Sequence, residues 1–203
     1  MKKPLRNTPL TDAAIMLAAS LTVLGCSNAA ISPVQASSAQ TEISAPRASR
    51  IAQALAEAEE AHETGRNESL VMLVNSLRAS GLSPRDEGGV DMLDTWSRAA
   101  GIEASPFRGR LLGPAYVRGE LAPGEVWRSA QTFKSGVPST LAVSHRGAGP
   151  VRIKVSDQSS RPVCSPVSSR EPQCRFTPLY TQRYEIELVN EGAGRAVYFL
   201  VFD

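Results

Sequence analysis

The stretch Arg183–Phe202, RYEIELVNEGAGRAVYFLVF, carries two strands and the turn between them. Its first half alternates, with Tyr184, Ile186 and Leu188 on one side and Glu185 and Glu187 on the other. A period of two marks a strand with one buried face. Asn190 to Gly194 supplies the residue types that accept turn geometry. Ala196 to Phe202 is apolar on both faces, so it reads as a central strand. Gly192-Ala193-Gly194 resembles a nucleotide loop only in spelling. It joins two strands rather than a strand and a helix, which makes it a hairpin turn.

Upstream the same period recurs. Val151, Ile153 and Val155 alternate with Arg152 and Lys154. Strands are expected over 115–121, 126–133, 139–145, 151–156, 162–164, 174–177, 183–189 and 195–202. Ala122-Pro123-Gly124-Glu125, Ser135-Gly136 and Arg146-Gly147-Ala148-Gly149 separate them as turns. Eight short strands at this spacing predict a β-sandwich.

Gly119, Leu121, Pro123 and Gly124 form a Gly-x-Leu opening and a Pro-Gly turn. Phe176, Pro178, Tyr184, Ile186 and Leu188 form a late Phe-x-Pro and a Tyr-x-hydrophobic-x-hydrophobic run. Together they resemble the bacterial pre-peptidase C-terminal (PPC) domain family. The resemblance spans roughly the last ninety residues and implies a jelly-roll-like sandwich, an accessory module of secreted proteins. The family often carries an acidic Asp-x-Asp-Leu-x-Leu run, whereas here the equivalent stretch, Gly149–Val155, is basic. A calcium role is therefore not carried over, since calcium requires several oxygen ligands.

Ahead of the strands the period is helical. Ile51, Ala54, Leu55, Ala58 and Ala61 share a face, with Glu57, Glu59, Glu60 and Glu63 elsewhere and Gly65 as a stop. A second helix carries Leu70, Val71, Leu73, Val74 and Leu77, with Asn67 as its expected cap and Gly81 as its end. A third fits 91–100, with Met92, Leu93, Trp96 and Ala99 inward and Gly101-Ile102 closing it. Short loops predict antiparallel neighbours. Three helices this small need another surface to lean on. The fold class expected is α+β, an antiparallel helical segment followed by an antiparallel jelly-roll-like sandwich.

The chain opens with Lys2, Lys3 and Arg6, followed by an apolar run from Ala13 to Gly25. Thirteen helical residues rise about 20 Å, short of the ~30 Å hydrocarbon core, so the run reads as an export signal. Val23-Leu24-Gly25-Cys26 resembles the lipobox of bacterial lipoproteins, which implies cleavage before Cys26 and lipidation of its thiol. Ser27 after it resembles the outer-membrane sorting pattern, facing the periplasm. Cleavage after Val34-Gln35-Ala36 is the alternative and would release a soluble periplasmic or secreted protein. Ser27–Pro46 has no apolar period and reads as a flexible tether with a reach of roughly 25 Å. The expected organisation is a signal over 1–25, a tether over 26–46, a helical subdomain over 47–107 and a sandwich over 108–203.

Beyond Cys26 the chain holds Cys164 and Cys174, ten apart. Outside the cytoplasm two such cysteines are expected to pair. They lack the further ligands zinc needs, and no metal or cofactor site is expected. His62 is expected to be exposed. His145 is the one candidate acid–base group, although no motif brings it a nucleophile or carboxylate. No Gly-x-Ser-x-Gly, His-Glu-x-x-His, P-loop or Cys-x-x-Cys occurs. Asp86-Glu87 and Asp91…Asp94 read as loop solvation and helix-start charge.

Charge is divided. Residues 47–107 carry net −4 and residues 108–203 net +5. Eleven of the thirteen cations in the second span are arginines, whose planar fork suits phosphate and carboxylate. Two readings follow: acidic helices packed on a basic sandwich, or a surface for an anionic envelope ligand or acidic envelope protein. For the second, Arg146, Arg152, Lys154, Arg175 and Arg183 form the candidate contact set. Nucleic acid is excluded as a partner by compartment and by the lack of basic–aromatic interleaving. The function expected is a noncatalytic envelope interaction or scaffolding module held to the membrane by its lipid. The alternative is an accessory or hydrolytic enzyme with a cleft between helices and sandwich.

Overall fold

In the computed structural model, the residues described are 45–85, 90–103, 113–164, 167–169 and 171–203. The expected signal, Cys26, nearly all of the expected tether and the Asp86-Glu87 pair lie outside them. Three helices, α1 (Arg47–Glu63), α2 (Asn67–Ala79) and α3 (Met92–Ala99), are followed by strands β2 (Ala115–Leu121), β3 (Val126–Phe133), β4 (Ser139–Arg146) and β5 (Val151–Ser156). Then come β6 (Val167–Ser169), β7 (Gln173–Phe176), β8 (Gln182–Asn190) and β9 (Ala196–Phe202); a two-residue strand β1 (Ser83–Pro84) lies between α2 and α3.

Two sheets form, ordered β1-β2-β9-β4-β7 and β3-β8-β5-β6. Apart from the parallel β1–β2 pair, every pairing is antiparallel. Setting β1 aside, the two four-stranded orders are those of a jelly roll. β9 lies between β2 and β4, the central place its two apolar faces demand. Ala196, Tyr198 and Leu200 enter the core between the sheets, while Phe199 and Val201 enter a second core under the helices. That second core joins Leu55, Leu70, Val74 and Trp96 of the helices to Tyr116, Ala142 and Phe199 of the first sheet. The helices are therefore a third layer, and the described residues form one compact unit.

Helix ends follow local chemistry. Gly65, Gly81 and Gly101 adopt φ of 69°, 74° and 67°. After α3, the Ile102 N–H donates to Ser97 and the Gly101 N–H to Arg98, while Ile102 packs on the helix-layer core. The Asp91 carboxylate caps α3 by accepting from the Leu93 N–H at 2.9 Å. Asn67 is not a cap. It is the first helical residue, and Arg66 before it makes no side-chain cap bond. In α3 the inward side chains are Leu93, Trp96 and Ser97, with Met92 half-buried; Ala99 is exposed. The Ser97 hydroxyl becomes buriable by donating to the Leu93 carbonyl at 2.6 Å.

Residues 162–164 do not form the expected strand. Only an isolated bridge, Ser156 to Pro162, occurs there. Pro162 has no N–H to give a ladder. Cys164 is drawn to Cys174 on β7, in the other sheet, by a disulfide with a Cα–Cα distance of 5.9 Å. The partner strand of β5 comes later, as β6. Closing a loop this short contributes about 3 kcal/mol in the chain-entropy model. Cys164→Ser/Cys174→Ser is expected to lose that much in urea unfolding under non-reducing conditions. An unchanged midpoint and slope would show that the bond does not hold β7.

At one position the inter-sheet core tolerates only glycine. Gly119 on β2 lies opposite Tyr198 on β9, and a Cβ there would come within 2.5 Å of the Tyr198 hydroxyl oxygen. The ring is 1 % exposed and packed on Trp127 at 5.9 Å between centroids, so it has little room to move. Gly119→Ala is expected to cost about 2 kcal/mol of stability by overpacking, measured by thermal or urea unfolding. A neutral substitution would contradict this packing.

Candidate functional site

α1 runs alongside β4 and β9 of the first sheet, and the charged residues of the two layers meet. Glu59, buried on α1, pairs with Arg118 on β2, which binds one carboxylate oxygen through both Nε and Nη2. Arg146, at the end of β4, pairs with Glu63 at 2.6 Å. Arg47 at the start of α1 pairs with the Asp203 side chain at 3.0 Å. Arg152 is held on the outer side of the second sheet by Glu191 at 2.7 Å, with Glu187 at 3.8 Å. Much of the positive charge of the sandwich is therefore met within the fold.

The five candidate contact residues do not share one surface. Arg146 and Arg175 lie on the first sheet, Arg152, Lys154 and Arg183 on the second. Arg146 and Arg152 are ion-paired, whereas Lys154, Arg175 and Arg183 make no ion pair among the described residues. Register places Arg175 opposite Thr140, at the start of β4, and Arg183 opposite Thr132, near the end of β3. Both positions belong to the pole of the sandwich that carries the β3–β4 and β7–β8 loops. Arg152, opposite Val189, lies toward the other pole.

The loop pole holds residues that pattern reading misses. The β3–β4 and β7–β8 loops are tied together by three bonds. Gly136 N–H donates to the Pro178 carbonyl at 2.9 Å, the Ser135 hydroxyl to the Leu179 carbonyl at 2.7 Å, and Ser135 N–H to the Thr181 hydroxyl at 2.9 Å. Beneath them Phe133, Phe176 and Tyr184 form a three-ring cluster with centroids 5.1–5.7 Å apart. On this rigid base Leu179 is 80 % exposed, Tyr180 72 % and Val137 49 %. Lys134, exposed and without an ion pair among the described residues, begins the same loop. The only signal in the sequence is Leu179-Tyr180, an apolar pair where a turn needs none.

His62 is exposed on α1. His145 lies on β4 opposite Tyr198, and both its ring nitrogens are buried. A cleft of about 440 Å³ does open between α3 and the sandwich, lined by Arg85, Met92, Tyr116 and Arg118, but not by His145. There the Tyr116 hydroxyl accepts from the Met92 N–H at 2.8 Å and donates to Asp91 at 3.2 Å. Burial, then the Asp91 carboxylate, pushes its ionisation well above the ordinary tyrosine value. It is a structural link between α3 and β2 rather than a base ready at neutral pH. Arg85 stacks on Phe202 at 4.7 Å and donates to the Ser129 hydroxyl and the Ala130 carbonyl, bridging the sheets. Among the described residues no three His, Cys, Asp or Glu side chains are placed to hold a metal ion.

No family model matches the chain, and no curated protein matches it. Solved structures do resemble part of it. The pre-peptidase C-terminal domain of a Bacillus anthracis collagenase is 14% identical, with a TM-score of 0.38, over 44% of this chain and 88% of that one. PliG of Aeromonas hydrophila, a periplasmic inhibitor of g-type lysozyme, is 13% identical, with a TM-score of 0.35, over 44% and 84%. A de novo designed double-stranded β-helix is 14% identical, with a TM-score of 0.30, over 43% and 97%. Likeness at this level assigns neither family nor function.

Proposed function

We propose that the protein is an exported, lipid-anchored and noncatalytic module of the cell envelope that holds an anionic partner electrostatically. In this reading Cys26 carries the lipid, and the sandwich, PPC-like in its sequence pattern, is the binding body. The observation that supports it is the division of the cations. Arg118, Arg146 and Arg152 are tied to Glu59, Glu63 and Glu191, while Lys134, Arg175 and Arg183 remain unpaired at the loop pole among the described residues. Lys154 is unpaired too but sits opposite Glu187. Unpaired guanidinium groups on a firm base retain their capacity for phosphate or carboxylate.

The test is capture of envelope components by the mature chain at about 0.1 M and about 1 M salt, where the Debye length falls from ~10 to ~3 Å. Capture is expected at the lower salt, lost at the higher, and lost at both in Lys134→Glu/Arg175→Glu/Arg183→Glu. Salt-insensitive capture unchanged by the reversal would dismiss an electrostatic partner.

A further inference from the structure

The loop pole is also where the chain arrives from its N-terminal segment. Arg47, the first residue of α1, bonds to the Asp203 side chain at 3.0 Å and to the Ser80 carbonyl at 2.8 Å. Asp203 in turn pairs through its backbone with Thr140, at 2.7 and 2.9 Å, beside the β3–β4 loop. α1 therefore starts at the pole that exposes Val137, Leu179 and Tyr180.

Resting on the anchored reading above, we propose that this pole seats on an anionic phospholipid surface, the partner being the bilayer itself. Leu179, Tyr180 and Val137 enter the headgroup region, and Lys134, Arg175 and Arg183 meet lipid phosphates around them. The chemistry is matched on both counts. Tyrosine favours the membrane interface because one end of its ring is apolar and the other is wet. Lysine and arginine gain from the negative surface potential of anionic lipid within a Debye length. Aqueous exposure of three large apolar side chains on a hydrogen-bonded, ring-supported base has no explanation within the fold itself. Asp203, the carboxylate at this pole that contacts α1, is already neutralised by Arg47.

Two single-tryptophan additions to the mature full chain test this. Tyr180→Trp places a probe on the loop pole, and Ala193→Trp places one on the β8–β9 turn at the other pole; both positions are exposed. Vesicles of phosphatidylethanolamine and brominated phosphatidylglycerol quench a tryptophan that enters them. The added emission of Tyr180→Trp is expected to be quenched about fivefold more than that of Ala193→Trp. That difference should vanish on vesicles of brominated phosphatidylcholine, or when Lys134, Arg175 and Arg183 are reversed. Equal quenching at the two poles, or none at either, overturns the docking. So does a blue shift of Tyr180→Trp with protein concentration and no vesicles, which would give the pole to a second copy. Radiolabelled palmitate incorporation, abolished by Cys26→Ser, tests the anchor separately. Label without polar quenching removes the docking and keeps the anchor. Polar quenching without label removes the anchor and keeps the docking.

Discussion

Trp96→Ala is expected to lower the unfolding free energy by about 4 kcal/mol. The ring is fully buried in the core between the helices and the first sheet: it belongs to α3, packs among the helices and meets Phe199 of β9 at 6.1 Å. Removing it leaves a cavity that short helices cannot close around. Its Nε1–H is buried without a partner among the described residues, so some of the loss is recovered. Trp96→Phe should therefore retain most of the stability. Urea unfolding followed by far-ultraviolet circular dichroism measures both. A loss below about 1 kcal/mol would mean that the helices do not rely on the sheet.

Arg118→Ala comes next, at about 3 kcal/mol. Glu59 has only 5% of its side chain exposed, and Arg118 supplies its charge partner and both of its hydrogen bonds. Glu59 holds its partner in the same direction, raising the ionisation of Arg118 further above its already high value. Truncating the arginine strands a carboxylate in a nonpolar layer, and breaking a buried pair from one side costs about 3–5 kcal/mol. The lower end applies because Arg118 is 29% exposed. Replacing both residues by leucine should be close to neutral, since the ion pair itself is offset by desolvation. A double-mutant cycle in urea separates the two. Equal losses for Arg118→Ala and the double leucine variant would show that packing, not the stranded charge, sets the cost.

What the sequence disclosed followed from local chemistry. The alternation of Tyr184, Ile186 and Leu188 and the two-faced apolarity of 196–202 specified the strands and the central place of β9, because burial is read directly in period. Gly65, Gly81 and Gly101 marked helix ends because their φ values suit few other residues. The cysteine pair was legible from the export-signal pattern and from spacing. β6 escaped because three residues, Val167–Ser169, carry no period. Residues 162–164 were misread because the pull of a disulfide toward the opposite sheet leaves no local trace. Ala99 and Ser97 exchanged places because hydrophobicity ranks them wrongly when a serine can bond back to its own helix. The candidate site was hardest. The five candidate cations divide between two sheets, and Arg146 and Arg152 are paired with Glu63 and Glu191, which lie far away along the chain. Lys134, Val137 and Leu179-Tyr180 come together only through the bonds between two loops.

The division of charge can be measured directly by crossing two reversals. Lys134→Glu/Arg175→Glu/Arg183→Glu should leave the unfolding free energy within about 0.5 kcal/mol of the parent while abolishing low-salt capture of the envelope ligand. Arg146→Glu/Arg152→Glu should lower stability by about 1–2 kcal/mol, through lost pairs and new repulsion against Glu63 and Glu191, and leave capture intact. The opposite crossing, with capture lost in the second variant and kept in the first, would contradict the account.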